Sequence, residues 1–327
     1  GAKCMLKNAL HLSTLLFVVA GGLFCGREKR TTIAVIPKGT THVFWKSVHA
    51  GAKTAAPECD VDIIWQGPQK EDDRGMQIQV VQNFISRGID AIVLAPLDKN
   101  ALVRPVEAAV ERDIPVVIID SDLDSEKRAC FVATDNYEGG KLAAKHLSEL
   151  LERTGNILLM RYAEGSSSTM KREEGFLDGI REFSPEAVLV STDQYGGVTA
   201  ESALQAGQNL LNKYEDVDGV FCPNESTTFG MLRALQTAGK AGSISFVGFD
   251  SSDPLLKALR AKEIHGLVVQ KPFRMGYLGV KTAHAVLTGE EIKERIDTGV
   301  ELITPENVDS PEIQQLLHPD TQPAATK

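Results

Sequence analysis

The sequence predicts an α/β protein of two similarly built domains, each on a parallel central sheet. Ile114-Pro-Val-Val-Ile-Ile-Asp120-Ser-Asp122 and Ser243-Ile-Ser-Phe-Val-Gly-Phe-Asp250-Ser-Ser-Asp253 share one plan: a short apolar run, then Asp, Ser and a second Asp. A buried parallel strand reads this way, apolar on both faces and polar at its carboxyl end. Ile89-Asp-Ala-Ile-Val-Leu-Ala-Pro96 precedes the first copy and Val217-Asp-Gly-Val-Phe-Cys-Pro223 the second. Asp90 and Asp218 lie 128 residues apart, Asp120 and Asp250 130 apart, so the halves are in register. Such self-similarity marks repeated construction. Because ligands of open parallel sheets lie beyond the carboxyl ends of the strands, two facing sheets would set Asp120 and Asp250 on opposite walls of one cleft.

The first thirty residues differ in kind from the rest. Lys3 and Lys7 precede an apolar run from Ala9 to Phe24, followed by Cys25, Gly26 and the charged Arg27-Glu-Lys-Arg30. A basic start, an apolar centre and small residues describe an export signal. The run is short for a membrane span, which needs about 20 residues. Cys25 stands where a bacterial lipoprotein would be cleaved and acylated, although Phe24 replaces the usual small residue. An ordinary signal whose cysteine has no role is the alternative.

From Thr31 strands and helices alternate. The first half reads as strand 32–36, helix 44–56 ending at Pro57, strand 61–65 and helix 71–87 closed by Gly88. In that second helix Met76, Val80, Phe84 and Ile85 share a side. Strand 91–94, helix 101–112 and strand 116–119 complete the first half, and Phe131-Val-Ala-Thr134 leads on from it. Asp135-Asn136 then offers a cap to helix 137–153. The second half reads as strand 156–160, helix 169–182, strand 187–191, helix 199–214, strand 219–221, helix 227–238 and strand 245–249. Strand 266–269 and helix 272–287, opened by Pro272, complete it. After Gly289 the pattern weakens, and Pro305, Pro311, Pro319 and Pro323 suggest an irregular tail that frays beyond Leu317.

Composition narrows the function classes. With 327 residues and 43% hydrophobic content, two ordinary cores can form. A formal charge of −9 argues against nucleic acid as the main partner, since phosphate binding needs a basic face. Five cysteines without a C-x-x-C pair give neither zinc spacing nor a thioredoxin motif. No cofactor is expected.

These segments resemble the periplasmic sugar-binding proteins of the ribose-binding type, substrate receptors of ABC importers. The carriers are Ile33-Ala-Val-Ile-Pro with Phe44-Trp45, the strand end at Asp120, Thr134-Asp-Asn-Tyr-Glu-Gly-Gly140 and Lys171-Arg-Glu-Glu-Gly-Phe176. Val220-Phe-Cys-Pro-Asn224, Leu232-Arg-Ala-Leu-Gln-Thr-Ala-Gly239, Val247-Gly-Phe-Asp250 and Gln270 before Pro272 complete the set. The resemblance implies the type I periplasmic binding protein fold: two Rossmann-like domains joined by a three-segment hinge near Thr134, Gln270 and Gly299. It divides the chain into residues 1–30 as export segment, 31–134 with 271–299 as first domain, 135–270 with 300–317 as second, and 318–327 as tail. It also implies a periplasmic or other extracytoplasmic monomer, lipid-anchored if Cys25 is acylated, with an ABC permease as partner. LacI-type repressors share this core but carry a basic helix-turn-helix where this chain has its apolar segment.

A neutral sugar offers hydroxyls that donate and accept, and ring C–H faces that are apolar, so its site needs planar polar groups and aromatic plates. By the resemblance, Asp120, Asp250, Asn224, Gln270, Phe44 and Trp45 face the sugar. Ser121 stands where ribose receptors often have Arg, and His42 where they often have Asn. Met170 aligns with a ribose-contacting Arg, Arg172 with a more widespread family Arg, and Tyr195 falls near a family aromatic site. Lys38 adds a cation at the cleft mouth. His42 reads as a hydrogen-bonding wall residue, because no clustered partner suggests a metal. These departures leave pentose, hexose, polyol and sugar acid open. Asp120, Asp250 and Asn224 could instead cap the following helices.

Two rivals remain. A glycosidase would also set two carboxylates across a sugar cleft, but the equivalence of the two strand ends explains that pair without catalysis. A sugar-sensing subunit for a chemoreceptor or sensor kinase would use the same closed form as a transport receptor.

Overall fold

The computed structural model describes residues 30–318; the segment expected to direct export, with Cys25, and the tail beyond residue 318 lie outside the described residues. The first sheet is laid down by β1 (Thr32–Ile36), β2 (Asp62–Trp65), β3 (Ala91–Leu94), β4 (Val116–Ile119) and β5 (Cys130–Ala133), with α1 (Val43–Glu58), α2 (Arg74–Arg87) and α3 (Val103–Val110) between them. The second follows through β6 (Asn156–Arg161), β7 (Val188–Tyr195), β8 (Gly219–Phe221), β9 (Ser245–Phe249) and β10 (Gly266–Gln270). Its helices are α4 (Asn136–Leu150), α5 (Ser167–Phe183), α6 (Ala200–Lys213), α7 (Glu225–Thr237) and α8 (Asp253–Arg260). Then α9 (Pro272–Thr288) and β11 (Arg295–Asp297) return to the first sheet, and β12 (Val300–Ile303) and α10 (Pro311–Leu317) to the second domain.

The strand orders are β11-β5-β4-β3-β1-β2 and β12-β10-β9-β8-β6-β7, the same topology twice. All pairs are parallel except β10 with β12. The chain passes between the sheets after β5, after β10 and after β11. The duplicated Asp residues that fix the register have one job in both halves. The Asp90 carboxylate accepts the Thr32 N–H at 2.7 Å, tying the approach to β3 to the start of β1. Asp218 accepts the Asn156 N–H at 2.7 Å and does the same for β8 and β6.

Each domain carries a helix pair packed too closely for any side chain at the crossing: α1 against α9, and α4 against α5. A Cβ on Gly276 would stand 1.9 Å from the Val48 carbonyl oxygen, and one on Gly140 2.0 Å from that of Arg172. The apolar residues of β1, β3 and β4 are fully enclosed, with helices on both faces.

The observed boundaries shift several expected elements. α2 begins at Arg74 rather than 71, because the Asp73 carboxylate accepts the Met76 N–H at 2.8 Å and caps it; Glu71 is thereby left in a loop. Met76, expected on the buried side, is exposed. No helix was expected over residues 253–260, where α8 forms with Pro254 in its first turn. The segment after Gly289 is more regular than expected: β11 and β12 are short strands whose half-exposed residues lack an apolar run, and Pro311 opens α10 at its first turn behind a Ser310 cap. Among the described residues no helix is long and apolar enough to cross a membrane.

Candidate functional site

The two duplicated strand ends leave their sheets in one unusual way. Asp120 has φ 63° and Asp250 φ 66°, the left-handed region that non-glycine residues seldom occupy. Their N–H groups donate to Val132 and Val268 carbonyls at 3.2 and 2.8 Å, so each turn is anchored to the neighbouring strand. Strained backbone persists where the surroundings over-determine it, often at functional sites. Here it sends both carboxylates into one cavity of about 40 Å³ between the domains.

The first wall is organised by Lys38, at the end of β1. Its buried ammonium lies 2.8 Å from an Asp120 carboxylate oxygen and donates to Ser121 Oγ at 2.5 Å. It also reaches across the cleft to Ser168 Oγ at 3.2 Å, at the start of α5. Beside it, Glu71 accepts the Trp45 indole N–H at 2.5 Å through one oxygen and the Tyr162 hydroxyl at 2.7 Å through the other. Trp45 belongs to the first domain and Tyr162 follows β6 of the second, so one carboxylate joins both walls. Phe44 packs edge-on against Trp45, ring centroids 4.9 Å apart. Adjacent helical residues diverge by roughly 100°, and α1 presents both rings because they lie in its first turn.

The second wall is built on Asp250. Gln270 Nε2 donates to one of its oxygens at 2.7 Å, and Arg172 Nη1 stands 3.7 Å from the other. Arg172 comes from α5 and is fully enclosed. It donates to Asn136 Oδ1 at 2.8 Å and to the Pro223 carbonyl at 2.9 Å, and its guanidinium lies 3.9 Å over the Phe249 ring. Burial pushes the Asp250 carboxyl up to about 6, opposed by Arg172 and by the Gln270 hydrogen bond; burial likewise holds Arg172 below its usual range. Asn224 caps α7, accepting the Thr227 N–H at 3.2 Å, and also lines the cavity. His42 Nδ1 faces Glu225 Oε2 across the cleft at 3.6 Å, and its pKa is raised, first by this neighbouring carboxylate and against the effect of burial.

Behind this wall Glu173 accepts from Arg161 Nη1 at 2.9 Å and from the Tyr162 N–H at 3.1 Å, and burial pushes its carboxyl up to about 7. A carboxyl raised on folding contributes stability below its unfolded pKa, here near 4.5, and loses it as pH rises through the folded value. Between pH 5 and 8 this group alone should cost up to about 3 kcal/mol. Wild type is therefore expected to lose more melting temperature than Glu173→Gln over that interval. Parallel Tm–pH curves for the two proteins would contradict this assignment.

Of the residues expected at the ligand, Lys38, His42, Phe44, Trp45, Asp120, Arg172, Asn224, Asp250 and Gln270 line the one cavity. Neither Asp caps a helix: Asp120 is held by Lys38, and Asp250 by Gln270 and Arg172. Ser121 is fully buried behind the wall, where it accepts from Lys38 and from the Ser168 N–H. Met170 and Tyr195 lie elsewhere. Met170 precedes Arg172 by two residues on α5, about 200° around the helix, so the two side chains cannot share a cavity; Met170 is exposed and borders a separate space of about 710 Å³ beside Asp135 and Arg295. Tyr195 ends the edge strand β7, where it is exposed beneath Arg161. The larger space lacks both strand-end carboxylates, and its Lys99 and Arg295 pair with Asp124 and Asp135. Glu71, Tyr162, Ser166, Ser168, Thr169 and Glu225 line the cleft without having been expected there.

Fold and site together define a two-domain binding protein whose ligand position is the cleft between two parallel sheets, at their carboxyl edges. The chain belongs to the periplasmic binding protein domain family, whose profile matches residues 33–291. The ribose import binding protein of Escherichia coli is 27% identical over 298 residues, covering 90% of this chain and 99% of that protein. A carbohydrate transporter solute-binding protein from Agrobacterium radiobacter, solved in complex with D-arabinose, superposes with TM-score 0.85 at 34% identity, covering 88% of this chain and 99% of that one. An ABC transporter solute-binding protein from Agrobacterium vitis with bound D-fucose gives TM-score 0.83 at 37% identity, covering 86% and 98%.

Proposed function

We propose that the chain is an extracytoplasmic receptor that captures a monosaccharide or related polyol in this cleft and delivers it to an ABC importer. The observation that carries the reading is the convergence of Asp120 and Asp250, from equivalent strand ends of two domains, on one cavity with Phe44, Asn224 and Gln270. Two fixed carboxylates supply acceptors for ring hydroxyls, the amides donate and accept, and the aromatic rings suit the apolar faces of a sugar. Relatives solved with D-arabinose and D-fucose bound support the chemistry.

The same geometry implies movement. The two walls already touch: Lys38 donates to Ser168 Oγ and the Tyr162 hydroxyl to Glu71 across the cleft. Ligand therefore reaches the Asp pair by separation of the walls at the three crossing segments, breaking Lys38 from Ser168 and Glu71 from Tyr162. A ligand held by both walls then favours the closed arrangement by its differential affinity. Calorimetric titration with D-ribose, D-arabinose, D-fucose, D-allose and myo-inositol is expected to give saturable binding of at least one, with the sugar recovered unchanged and the radius of gyration in solution scattering reduced. Absence of binding across this panel would remove the reading; binding without compaction would remove the closure step alone.

A further inference from the structure

His42 and Glu225 face each other from opposite domains, each at the start of a helix. His42 is the residue before α1 and Glu225 the first of α7; Nδ1 and Oε2 are 3.6 Å apart, close enough for an ion pair across the cleft. At a helix start a polar side chain commonly turns back onto the N–H groups of the first turn. The His42 imidazole makes no such bond, so it is free to meet the other wall. The two side chains are 27% and 26% exposed, so protons reach them from solvent while the pair stays partly shielded. Of the cross-cleft contacts described above, this one contains an imidazole, the side chain whose ordinary pKa lies between pH 5 and 8. The others join Lys38 to a serine hydroxyl and Tyr162 to Glu71.

The charges around His42 favour its protonated form. Glu225 on α7, Glu71 from the loop before α2 and Asp250 at the end of β9 all raise its pKa above the ordinary 6.5, against the effect of burial. The positive end of α1 opposes a cation at this position, while that of α7 suits the Glu225 carboxylate. Lys46 lies one turn along α1, exposed to solvent. Lys38 and Arg172, the other cations of the cavity lining, face Asp120 and Asp250. Opening the cleft carries Glu225 and Asp250 away with the second domain, so His42 holds its proton more weakly in the open form. Pairing therefore supports closure in full below the ordinary 6.5, and that support is lost as pH rises through the raised value of the closed form.

We propose that His42 and Glu225 form a proton-operated clasp between the domains, so that the cleft closes on its ligand and holds it more tightly in mildly acidic than in mildly alkaline medium. His42 is thereby a positioning residue, acting through Glu225 on closure. The ligand in this proposal rests on the receptor reading; the pair across the cleft does not.

The test uses the purified full chain and the tightest binder of the panel above, titrated at pH 6.0 and 8.5. Asp250, raised to about 6, and Glu173, raised to about 7, also change charge in or near this interval, so wild type is read against variants that keep both. The ratio of affinity at pH 6.0 to that at pH 8.5 is expected to be at least about threefold larger in wild type than in His42→Asn. Glu225→Gln should lower the ratio equally, and the double variant no further than either single one. Calorimetry near pH 7, in buffers of differing ionisation enthalpy, should show wild type taking up more protons per bound ligand than His42→Asn. Equal ratios in wild type and His42→Asn overturn the proposal. So does a wild-type ratio in Glu225→Gln, which would confine the titration to His42 itself. Both outcomes leave sugar binding intact. Should either variant prove unfolded by circular dichroism, the other decides. If every probe fails to bind, the receptor reading falls, and the His42 titration followed by NMR in the protein without sugar decides the clasp. A lower His42 pKa in Glu225→Gln than in wild type then upholds it, and an unchanged one overturns it.

Discussion

Asp250→Ala is expected to weaken binding of the tightest neutral sugar by at least 100-fold, about 2.7 kcal/mol. The substitution removes more than one acceptor. Gln270 Nε2 loses its 2.7 Å partner, so the amide is free to turn, and its orientation toward ligand is no longer set. Arg172 loses the carboxylate that faces it in an enclosed site, and stripping the countercharge from a buried ion costs roughly 3–5 kcal/mol in favourable cases. Its hydrogen bonds to Asn136 and Pro223, and its contact with Phe249, hold the guanidinium in place. The ionised Asp250 is itself disfavoured by burial, so its removal also relieves a cost. On balance stability is expected to fall alongside affinity. Calorimetry on the variant beside its thermal melt separates the two, and wild-type affinity in a folded Asp250→Ala protein would show that this carboxylate does not touch ligand.

That contrast explains how much of the site was legible beforehand. Asp120 and Asp250 stood out because the chain repeats them in register, and the structure gives them one backbone conformation as well as one position. Asp90 and Asp218 were legible as register marks for the same reason, although their role in pinning β1 and β6 required coordinates. Glu71 was hidden because a helix seemed to begin at it. The capping carboxylate is Asp73, two residues on, and only that choice releases Glu71 to bond Trp45 and Tyr162. Capping competition between neighbouring acids is a tertiary matter, since any of Glu71, Asp72 and Asp73 could start the helix on local grounds. Ser166 and Ser168 carry no signal in isolation; they matter because Lys38 reaches them from the other domain. Tyr195 came in through the resemblance, near a family aromatic site, yet β7 is the outer strand of its sheet and the side chain is exposed there. Met170 and Arg172 were both carried in by the resemblance; two residues apart on one helix they diverge by about 200°, and it is Arg172 that lines the cavity.

Gly140→Ala should carry the largest stability loss and disable the site from a distance. The methyl would meet the Arg172 carbonyl oxygen at 2.0 Å, its carbon at 2.8 Å and the Phe176 backbone nitrogen at 2.8 Å. These are backbone atoms of α5, so no side-chain rotation relieves them and the whole helix must move. Overpacking of this kind costs typically 1–3 kcal/mol and occasionally more, and the better helix propensity of Ala returns only about 1 kcal/mol. Backbone clashes at 2.0 Å put this change at the upper end, and a net loss of about 2 kcal/mol corresponds to a Tm fall of roughly 4–8 °C. The displaced helix carries Arg172, whose guanidinium contacts Asn136 on α4 itself and Asp250 on the far side of the cleft wall. Parting α5 from α4 therefore draws the guanidinium away from Asp250 and out of the cleft wall, and affinity should fall at least tenfold in protein that is still folded at 25 °C. Gly75→Ala is the matched control, because a Cβ there meets only Asp73 Oδ1, at 3.8 Å, and α2 carries none of the cleft residues. It should leave both Tm and affinity within error or raise Tm slightly. Equal melting temperatures for wild type and Gly140→Ala would mean that the two helices have room to spare, and the coupling between their packing and the ligand wall would be lost with it.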